Sequence, residues 1–509
     1  FRHSDTIRLN IDYFSKKNTL SFYFIFLFLL FSLAFRQMRI LRISGIFEWS
    51  LSFAFSLKVV IGFYFLYVYT SVYGSGTLSA DAGAFIEESA MLNSIFYDSP
   101  LNYFKLLLGS ESEGALMYQY LGETSHWDSG AQAITSDNRN ILRVHSLIHF
   151  ISFGNSGIHM LIMCFISTLG LKQLFIALKD RTLINNKLLF LLLLLFPSLL
   201  FWTSGILKEP LMFLGFGLIA RALLSNDTLK YKWIFGFLGA LILLGIKPYI
   251  LIAMIPSILF FLFYRLFLTR KIIKSIAALS VLAILTPLIF QKTTEKVVHL
   301  LSRKQFDFIN VGKGGIHVQA KDNFYFFNPK QIHELKIAND SVWITKKTDA
   351  LILQHGSMEA PVPVTLHPND EKWPIYFYNK QSYGFIALTP INNSPIQLLK
   401  NVPEALTNAL FRPFLNDPGS WLKYPAVLET VFLFLFFIYT LLRKKKLSQD
   451  EIAIAIGIRF FVLILLLTIG WVTPVLGAIV RYRIPAYIGI LIISLVIVDS
   501  KKKKDHISH

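Results

Sequence analysis

Long apolar runs, separated by short polar and charged segments, give this chain its main pattern. A run of about 20 apolar residues is long enough to cross a lipid bilayer as a helix. Eleven runs approach this length, although several are short: 20–35, 51–73, 157–178, 188–203, 211–224, 233–245, 250–268, 273–290, 426–442, 452–472 and 484–498. The pattern predicts an all-α polytopic membrane protein with about ten or eleven transmembrane helices.

Two prolines interrupt the apolar runs in the middle of the chain. Pro197 and Pro210 lie inside or beside these runs, and proline breaks or restarts a helix at such positions. Interrupted helices at membrane depth are tolerated where they pack inside protein or line a water-filled cavity. Lys208 lies between the two broken helices, so we expect its side chain to face an interior cavity.

Two long segments between the apolar runs differ in composition. Residues 74–155 carry acidic residues and short apolar islands, which predict interfacial helices. Residues 291–424 contain short β-prone runs divided by Gly, Pro, Asn and Asp, namely GIHVQ, FYFF, SVWIT, ALILQHG, PVPVTLH, IYFYN and YGFIALTPI. These runs predict a small β-rich external module.

These features divide the chain into predicted regions. They are a doubtful N-terminal segment with an extra span (1–37), a membrane domain (38–290) with an acidic first external loop (74–155), the β-rich module (291–424), C-terminal transmembrane helices (425–500) and a basic cytoplasmic tail (501–509). The first segment is doubtful because it opens on Phe1, and arginines follow its apolar run instead of a small-residue cleavage site. We expect Met38 to be the natural start.

Composition and charge agree with a membrane protein. The chain is 54% hydrophobic with a mean hydropathy of +0.52, which a soluble protein with an ordinary polar surface does not show. Its net charge of +19 comes from basic clusters between the apolar runs. Such clusters mark the cytoplasmic side, so they argue against nucleic-acid binding and place both ends in the cytoplasm if the chain starts at Met38. The single cysteine, Cys164, cannot form an intrachain disulfide.

Acidic residues follow the first reliable span directly. The stretch SADAGAFIEESAML (79–92) contains Asp81 and Glu88, which share one face if the stretch is helical. Asp128, in the HWDSG stretch further along the same loop, is another candidate acid. One interpretation is an interfacial helix that presents acid to a cavity. The other is that Asp81 only caps the helix and that the glutamates are solvated.

Cationic residues fall on the same predicted external side. Lys208 lies in PSLLFWTSGILKEP, and Arg481 and Arg483 lie in RYRIPAY before the last span. A carboxylate can take the proton of an acceptor hydroxyl, while such cations hold the phosphate of a leaving lipid. The alternative for Arg481 and Arg483 is that they anchor the end of a span in lipid headgroups.

The sequence gives little sign of a metal or nucleotide site. His126 with Asp128, or His145 with His149 at helical spacing, can ligate a divalent cation, but isolated interfacial histidines usually make ordinary polar contacts. No glycine-rich loop of the P-loop or Rossmann type is present, so nucleotide hydrolysis is not indicated. No cofactor is assigned, and a divalent cation remains open.

An acidic first external loop, the PSLLFWTSGILKEP stretch and RYRIPAY together make the chain resemble the GT-C superfamily of polytopic membrane glycosyltransferases. This group includes protein mannosyltransferases and lipid-linked sugar transferases. The resemblance implies that Asp81 is the catalytic, base-like acid and that Lys208, Arg481 and Arg483 are the phosphate-binding residues. Glu88 and Asp128 are the candidates for a second acid. It does not match the paired acids usual in that loop, and here the β-rich module precedes the last spans.

The resemblance implies an enzyme of the bacterial inner membrane. The donor would be a polyprenyl-phosphate-linked sugar, and the acceptor a polysaccharide, lipid or protein of the envelope. Three alternatives remain: an O-antigen or exopolysaccharide polymerase, a transporter or flippase for lipid-linked sugars, and a non-catalytic scaffold. A transporter should carry charges deep within several spans, whereas the interiors of these apolar runs are mostly Leu, Ile and Phe, with the charges at one rim.

Overall fold

The computed structural model describes residues 17–111, 114–122, 124–127, 136–267, 271–320, 323–354 and 361–499. The chain forms two compact units. The first contains Phe1–Met254, Thr440–Lys446 and Ser494–His509, and the second contains Ile255–Tyr439 and Leu447–Ile493. The boundary falls within a helix, Pro248–Leu262, and not in a linker.

The regular elements in the described part of the first unit are helices. Its helices are α1 (Lys17–Gln37), α2 (Ser50–Tyr67), α3 (Ala80–Asp98), α4 (Pro100–Leu108), α5 (Ala115–Leu121), α6 (Asp137–Ser152), α7 (Ser156–Leu178), α8 (Asn186–Leu194), α9 (Pro197–Trp202), α10 (Glu209–Leu224), α11 (Leu229–Ile246) and the start of α12 (Pro248–Leu262). A π-helical turn, Val68–Val72, extends α2. Helix α10 packs against α7 and α11, and α3 packs against α6.

Small residues allow α7 and α10 to approach each other closely. A Cβ atom on Gly217 would lie 2.6 Å from the carbonyl oxygen of Gly170, and one on Gly170 would lie 2.9 Å from the backbone nitrogen of Leu214. Both distances are too short for a side chain. Glycine at these two positions therefore lets the backbones touch, as is common between helices in membranes.

The middle of this unit is broken where the two prolines predict it. Pro197 occupies the first position of α9 and Pro210 lies in the first turn of α10, where a proline needs no backbone N–H partner. Between α9 and α10 the backbone is not helical from Thr203 to Lys208. This break sets the position of Lys208, whose side chain is 7% exposed.

The second unit combines helices with a sheet. It contains α13 (Ile272–Ile289), α14 (Gln291–Lys313), α15 (Pro395–Lys400), α16 (Val402–Phe411), α17 (Tyr424–Leu442), α18 (Gln449–Val472), α19 (Leu476–Tyr482) and α20 (Ile484–Ile497). The last residues of α17 and α20 count with the first unit. Helices α14 and α16 both pack against α18.

Seven antiparallel strands lie between α14 and α15. They are β1 (Gly315–Ala320), β2 (Asn323–Phe327), β3 (Leu335–Ala338), β4 (Ser341–Ile344), β5 (Thr348–Gln354), β6 (Val362–Leu366) and β7 (Trp373–Asn379), in the spatial order β3-β4-β7-β1-β2-β5-β6. The register pairs Ile316 with Phe327 and with Tyr378. Apolar residues on one face, including Val318, Val342 and Trp373, form its core. A small antiparallel sheet is therefore present among the helices.

The structure is that of a multi-pass membrane protein, but it does not confirm ten or eleven spans. By length and composition, six helical segments of the described chain can cross a bilayer: Ser50–Val72, Ser156–Leu178, Leu229–Ile246, Pro248–Arg265, Trp421–Leu442 and Gln449–Val472. The pair α19 and α20, bent by 48°, makes a seventh if it is one span. The other predicted runs form helices that are too short or too interrupted, such as α8 with 9 residues and α10 with 16.

Helix α1 packs against α2 and α7, although the sequence makes its segment doubtful. Phe31 lies 4.7 Å from Phe165 between ring centroids, and Phe35, which is fully buried, lies 5.8 Å from Phe55. Offset and tilted aromatic pairs at such distances stabilise helix contacts. The apolar part of α1 is shorter than the spans above, since it covers Ser21–Gln37.

Candidate functional site

The loop after the first span is tied back to that span. The Ser79 hydroxyl donates to the Tyr69 carbonyl oxygen at 2.6 Å, and the Ser79 backbone N–H donates to the same oxygen at 3.1 Å. Helix α3 begins at the next residue, so Asp81 falls in its first turn. A carboxylate is favoured there by the N–H groups and dipole of the helix. Asp81 is partly exposed, and the adjacent Glu87 is exposed.

Glu88 lies two turns further along α3 and holds the segment around His126. Its Oε1 accepts hydrogen bonds from the Ser125 N–H at 3.1 Å and the Ser125 hydroxyl at 2.8 Å, and it lies 2.9 Å from His126 Nδ1. Its Oε2 accepts from the His126 N–H at 3.0 Å. Both carboxylate oxygens are therefore engaged, and the side chain is only 10% exposed.

The contact between Glu88 and His126 shifts the pKa values of both side chains. Burial favours a higher pKa for Glu88, but hydrogen bonds from His126 and Ser125 outweigh burial and lower that pKa. Burial favours a lower pKa for His126, but its hydrogen bond with Glu88 and the charges of Glu88 and Asp81 raise that pKa, against an opposing effect of Lys208. The structure thus favours an ion pair, with Asp81 and Lys208 both close enough to act on the imidazole.

This ion pair predicts a bounded pH window for its contribution to stability. The raised pKa of His126 means that its contribution is full below the unfolded value of 6.5 and is lost as the pH rises through the raised value. The lowered pKa of Glu88 means that its contribution is full above 4.5 and is lost as the pH falls through the lowered value. The coupling energy between Glu88→Gln and His126→Gln, measured by thermal unfolding, is therefore expected to be largest at about pH 5.5 and to shrink by about pH 9. A coupling energy that does not change between these values would contradict the ion pair.

Lys208 reaches the same region from the start of α10. Its Nζ donates to Asp137 Oδ2 at 2.7 Å and to Asn138 Oδ1 at 2.5 Å, at the start of α6. It also lies 5.7 Å from the ring centroid of Phe85. The Phe85 ring also contacts His126, with 5.3 Å between ring centroids. Phe85 therefore contacts both the imidazole and the ammonium group.

Two buried arginines of α6 surround Trp127. The guanidinium carbons of Arg139 and Arg143 lie 5.3 and 5.1 Å from the Trp127 ring centroid, within the range of cation–π attraction. Arg143 also donates to the Leu106 carbonyl oxygen at 3.1 Å and to Asn140 Oδ1 at 2.8 Å. Burial and the charge of Arg139 lower the pKa of Arg143 to about 10. The two arginines therefore hold the residue that follows His126 in the chain.

A second ion pair lies just beyond Lys208. Glu209 and Lys247 are 3.2 Å apart, and their side chains are 1% and 5% exposed. Glu209 is the first residue of α10, and Lys247 directly follows the end of α11. The pair therefore connects the start of α10 to the end of α11. Buried charges of opposite sign stabilise each other only if both are present.

The histidines at helical spacing on α6 contact other buried side chains. His145 Nδ1 lies 3.0 Å from His159 Nδ1, and His149 Nε2 lies 3.0 Å from the Ser89 hydroxyl. Burial and the charge of His149 lower the pKa of His145 to about 3, and burial lowers that of His149 to about 4, so both are neutral near pH 7. Within the described ranges, no group of three or more His, Cys, Asp or Glu side chains could hold a metal ion.

The predicted arginines of the second unit occupy different environments. Arg483 is 1% exposed, and its guanidinium donates to the carbonyl oxygens of Ala409 and Arg412 and to the Thr430 hydroxyl. It thus stabilises the end of α16, where carbonyl groups lack helical partners. Arg481 is 9% exposed and lies 5.6 Å from the Tyr482 ring centroid.

Of the residues predicted from the sequence, the first unit brings Glu88 and Lys208 into one neighbourhood, because Glu88 pairs with His126 and the Phe85 ring contacts both His126 and Lys208. Asp81 lies in the first turn of the same helix, α3. Asp128 lies outside the described residues. The sequence pattern of His126 suggests a metal ligand or an ordinary polar contact, and it gives no sign of the ion pair with Glu88. Asp137 and Asn138 were not predicted, although acid and amide groups at the start of a helix are an available signal for a cation partner.

The neighbourhood combines three chemical elements. Asp81 is a partly exposed carboxylate, the Glu88–His126 pair is held by hydrogen bonds, and Lys208 is a buried cation whose partner Asp137 is 42% exposed. A carboxylate can accept a proton, and an ammonium group can stabilise negative charge on a phosphate. No family model matches the chain, and neither a curated protein nor a solved structure shows significant similarity to it. The resemblance to GT-C enzymes therefore stays a prediction from the quoted motifs.

Proposed function

We propose that this protein is a membrane glycosyltransferase of the GT-C type. It transfers a sugar from a polyprenyl-phosphate donor to a polysaccharide, lipid or protein acceptor at the external face of the bacterial inner membrane. The observation that supports the proposal is that Asp81 lies in the first turn of α3 and that Lys208 Nζ lies 5.7 Å from the Phe85 ring centroid of the same helix. Both ends lie in the cytoplasm if translation starts at Met38. A membrane domain of ten or eleven spans stays a hypothesis from the sequence.

In the proposed reaction, the acceptor hydroxyl oxygen attacks C1 of the donor sugar. Asp81 takes the hydroxyl proton as the new C–O bond forms, and the bond between C1 and the phosphate oxygen breaks. The electron pair of that bond leaves with polyprenyl phosphate. Lys208 stabilises the negative charge that grows on the phosphate. Attack from the side opposite the leaving group inverts the configuration at C1.

The proposal gives different roles to the two acids of α3. The Glu88 carboxylate accepts four short contacts from Ser125 and His126, so it positions that segment and is poorly placed to take a further proton. Asp81 is more exposed than Glu88 and is the better base. Arg481 belongs to the second unit and stays a prediction from the RYRIPAY motif. Arg483 already donates to three oxygen atoms of its own unit, which favours a structural role.

A flippase for lipid-linked sugars is the second candidate, because one buried charge lies deep within a span. Lys58 lies inside the candidate span Ser50–Val72, is 1% exposed, and donates to the Thr203 hydroxyl at 2.6 Å. Charged residues inside spans often mark transport pathways. A polymerase remains the alternative within enzymes and would require lipid-diphosphate-linked oligosaccharides.

The test is to incubate the purified protein with radiolabelled polyprenyl-phosphate sugars and envelope extract. The proposal predicts release of free polyprenyl phosphate together with labelled acceptor. Movement of intact donor across sealed vesicles without cleavage would replace the enzyme with the flippase. Transfer that occurs only from diphosphate-linked oligosaccharide would replace it with the polymerase.

Lys208→Met is expected to lower the rate of donor cleavage by about 10²- to 10³-fold, the usual effect of removing one charged donor from a developing anion. The fold should persist, because the released partner Asp137 is 42% exposed and can be hydrated. Initial rates of polyprenyl-phosphate release measure the effect. Lys187→Met, which removes the same charge from an exposed position, is the matched control and should retain the full rate. Equal rates for both variants would contradict the role of Lys208.

A further inference from the structure

An arginine lies in the middle of the most apolar span of the second unit. Helix α18 (Gln449–Val472) has a mean hydropathy of 2.8. Arg459 lies ten residues after its first residue. Its side chain is exposed on the protein surface, and among the described residues it has no hydrogen-bond or ion-pair partner. A cation at this depth is costly unless it meets an anion or reaches the headgroups.

Arg459 lines one end of an apolar groove of about 400 Å³. The α18 side chains that continue the groove are Val462, Leu463 and Leu466, and aromatic and aliphatic side chains from α17 and α20 close it, among them Phe434, Phe437 and Ile490. All these residues belong to the second unit. The groove thus has one charged end and a long apolar body.

The position of Arg459 fits a lipid headgroup. Ten residues of helix correspond to about 15 Å of rise, and the first turn of α18 contains Asp450 and Glu451, which belong at the membrane surface. The long arginine side chain can extend back toward that surface and meet a phosphate there. The residues that follow Arg459 on the groove, Val462 to Leu466, lie progressively deeper along the same helix.

We propose that this groove binds one anionic glycerophospholipid from the leaflet at the N-terminal end of α18. The phosphate pairs with the Arg459 guanidinium, whose planar fork suits two phosphate oxygens. One acyl chain lies along Leu463 and Leu466. A peptide would leave its backbone groups without partners in this apolar groove. A helix from a second copy would need an acidic residue at the same depth.

The experiment is native mass spectrometry of the full-length protein in detergent, with phosphatidylglycerol and phosphatidylcholine of identical acyl chains. The wild-type protein is expected to retain one phosphatidylglycerol in preference to phosphatidylcholine. Arg459→Gln should reduce this preference by about tenfold, because one charge-assisted contact is lost. Arg459→Lys should give an intermediate preference, because it keeps the charge but not the fork. Leu463→Trp, at a position that is 44% exposed, should lower retention of both lipids by filling the groove.

Lys400→Gln is the matched control, since it removes one positive charge from an exposed residue of the same unit outside the groove. It should leave the preference unchanged. An unchanged preference in Arg459→Gln, or an equal loss in Lys400→Gln, would overturn the proposal. Loss of a dimer instead of a lipid in Arg459→Gln would assign the groove to a second copy. None of these outcomes depends on sugar transfer, so they are distinguishable from failure of the proposed function.

Discussion

Asp81→Asn is expected to slow sugar transfer by about 10²- to 10⁴-fold, the usual range for loss of a general base. Asparagine keeps the size and shape of the side chain in the first turn of α3 but cannot take a proton from the acceptor hydroxyl. The measurement is the initial rate of labelled acceptor formation by purified protein at saturating donor. Because the charge of Asp81 raises the pKa of His126, the variant should also lower the pKa of that histidine.

Glu87→Gln provides the control for this variant. Glu87 lies on the same helix, is exposed and makes no ion pair with another described residue, so the same chemical change should leave the rate unchanged. Both variants should accumulate in the membrane at the wild-type level. A rate for Asp81→Asn that matches Glu87→Gln would remove Asp81 from the mechanism. A scaffold without catalytic activity predicts this equality.

Glu209→Gln is expected to destabilise the first unit by about 3–5 kcal/mol, because it leaves the buried Lys247 ammonium without its carboxylate. Replacing both residues together, as Glu209→Leu with Lys247→Met, should recover most of this stability, since the desolvated charges are then absent. Denaturation of the detergent-purified protein, followed by tryptophan fluorescence, measures the difference.

Asp180→Asn is the comparison for the Glu209 variant. Asp180 is an exposed acid of the same unit, and its substitution should change the stability by less than about 0.5 kcal/mol. A loss in Glu209→Gln no larger than that of Asp180→Asn would show that the ion pair contributes little. If the double variant is less stable than either single variant, the Glu209–Lys247 ion pair stabilises the protein more than the apolar pair that replaces it.

The sequence predicted the helical membrane architecture and the breaks, but it overestimated the number of spans. Hydrophobic length alone located Ser50–Val72 and Ser156–Leu178. It could not separate these from 188–224, where the apolar composition is similar but the helices are short. Pro197 and Pro210 indicated that the helices in this region are short, because these prolines fix where α9 and α10 begin.

The strands of the sheet were also predicted only in part from the sequence. The runs GIHVQ, FYFF and IYFYN fall on β1, β2 and β7. YGFIALTPI, which is equally β-prone, forms only a single bridge at Phe385, and the short strand β3 had no strong signal. The insertion of β7 between β4 and β1 depends on pairing across long separations in the chain, which local composition does not encode.

The sequence pointed to Asp81, Glu88 and Lys208 individually, but it did not reveal the pairings of Glu88 and Lys208. Asp81 and Lys208 were candidates because a charged side chain beside an apolar span is costly unless it has a partner or a function. The partner of Glu88 is 38 residues away, and that of Lys208 is 71 residues away, so neither pair has a local spacing to reveal it. The roles of Arg481 and Arg483 looked alike in RYRIPAY, whereas the contacts of Arg483 with backbone carbonyls distinguish them.

The central claim is that Asp81 and Lys208 act in one site on one donor molecule. Residues that act as a unit have non-additive effects on rate. The decisive measurement is the rate of polyprenyl-phosphate release by Asp81→Asn, Lys208→Met and the double variant. Each single variant is expected to be slow, and the double variant is expected to be little slower than the worse of the two. Effects that multiply in the double variant, or a single variant with the wild-type rate, would show that Asp81 and Lys208 do not act together on one donor.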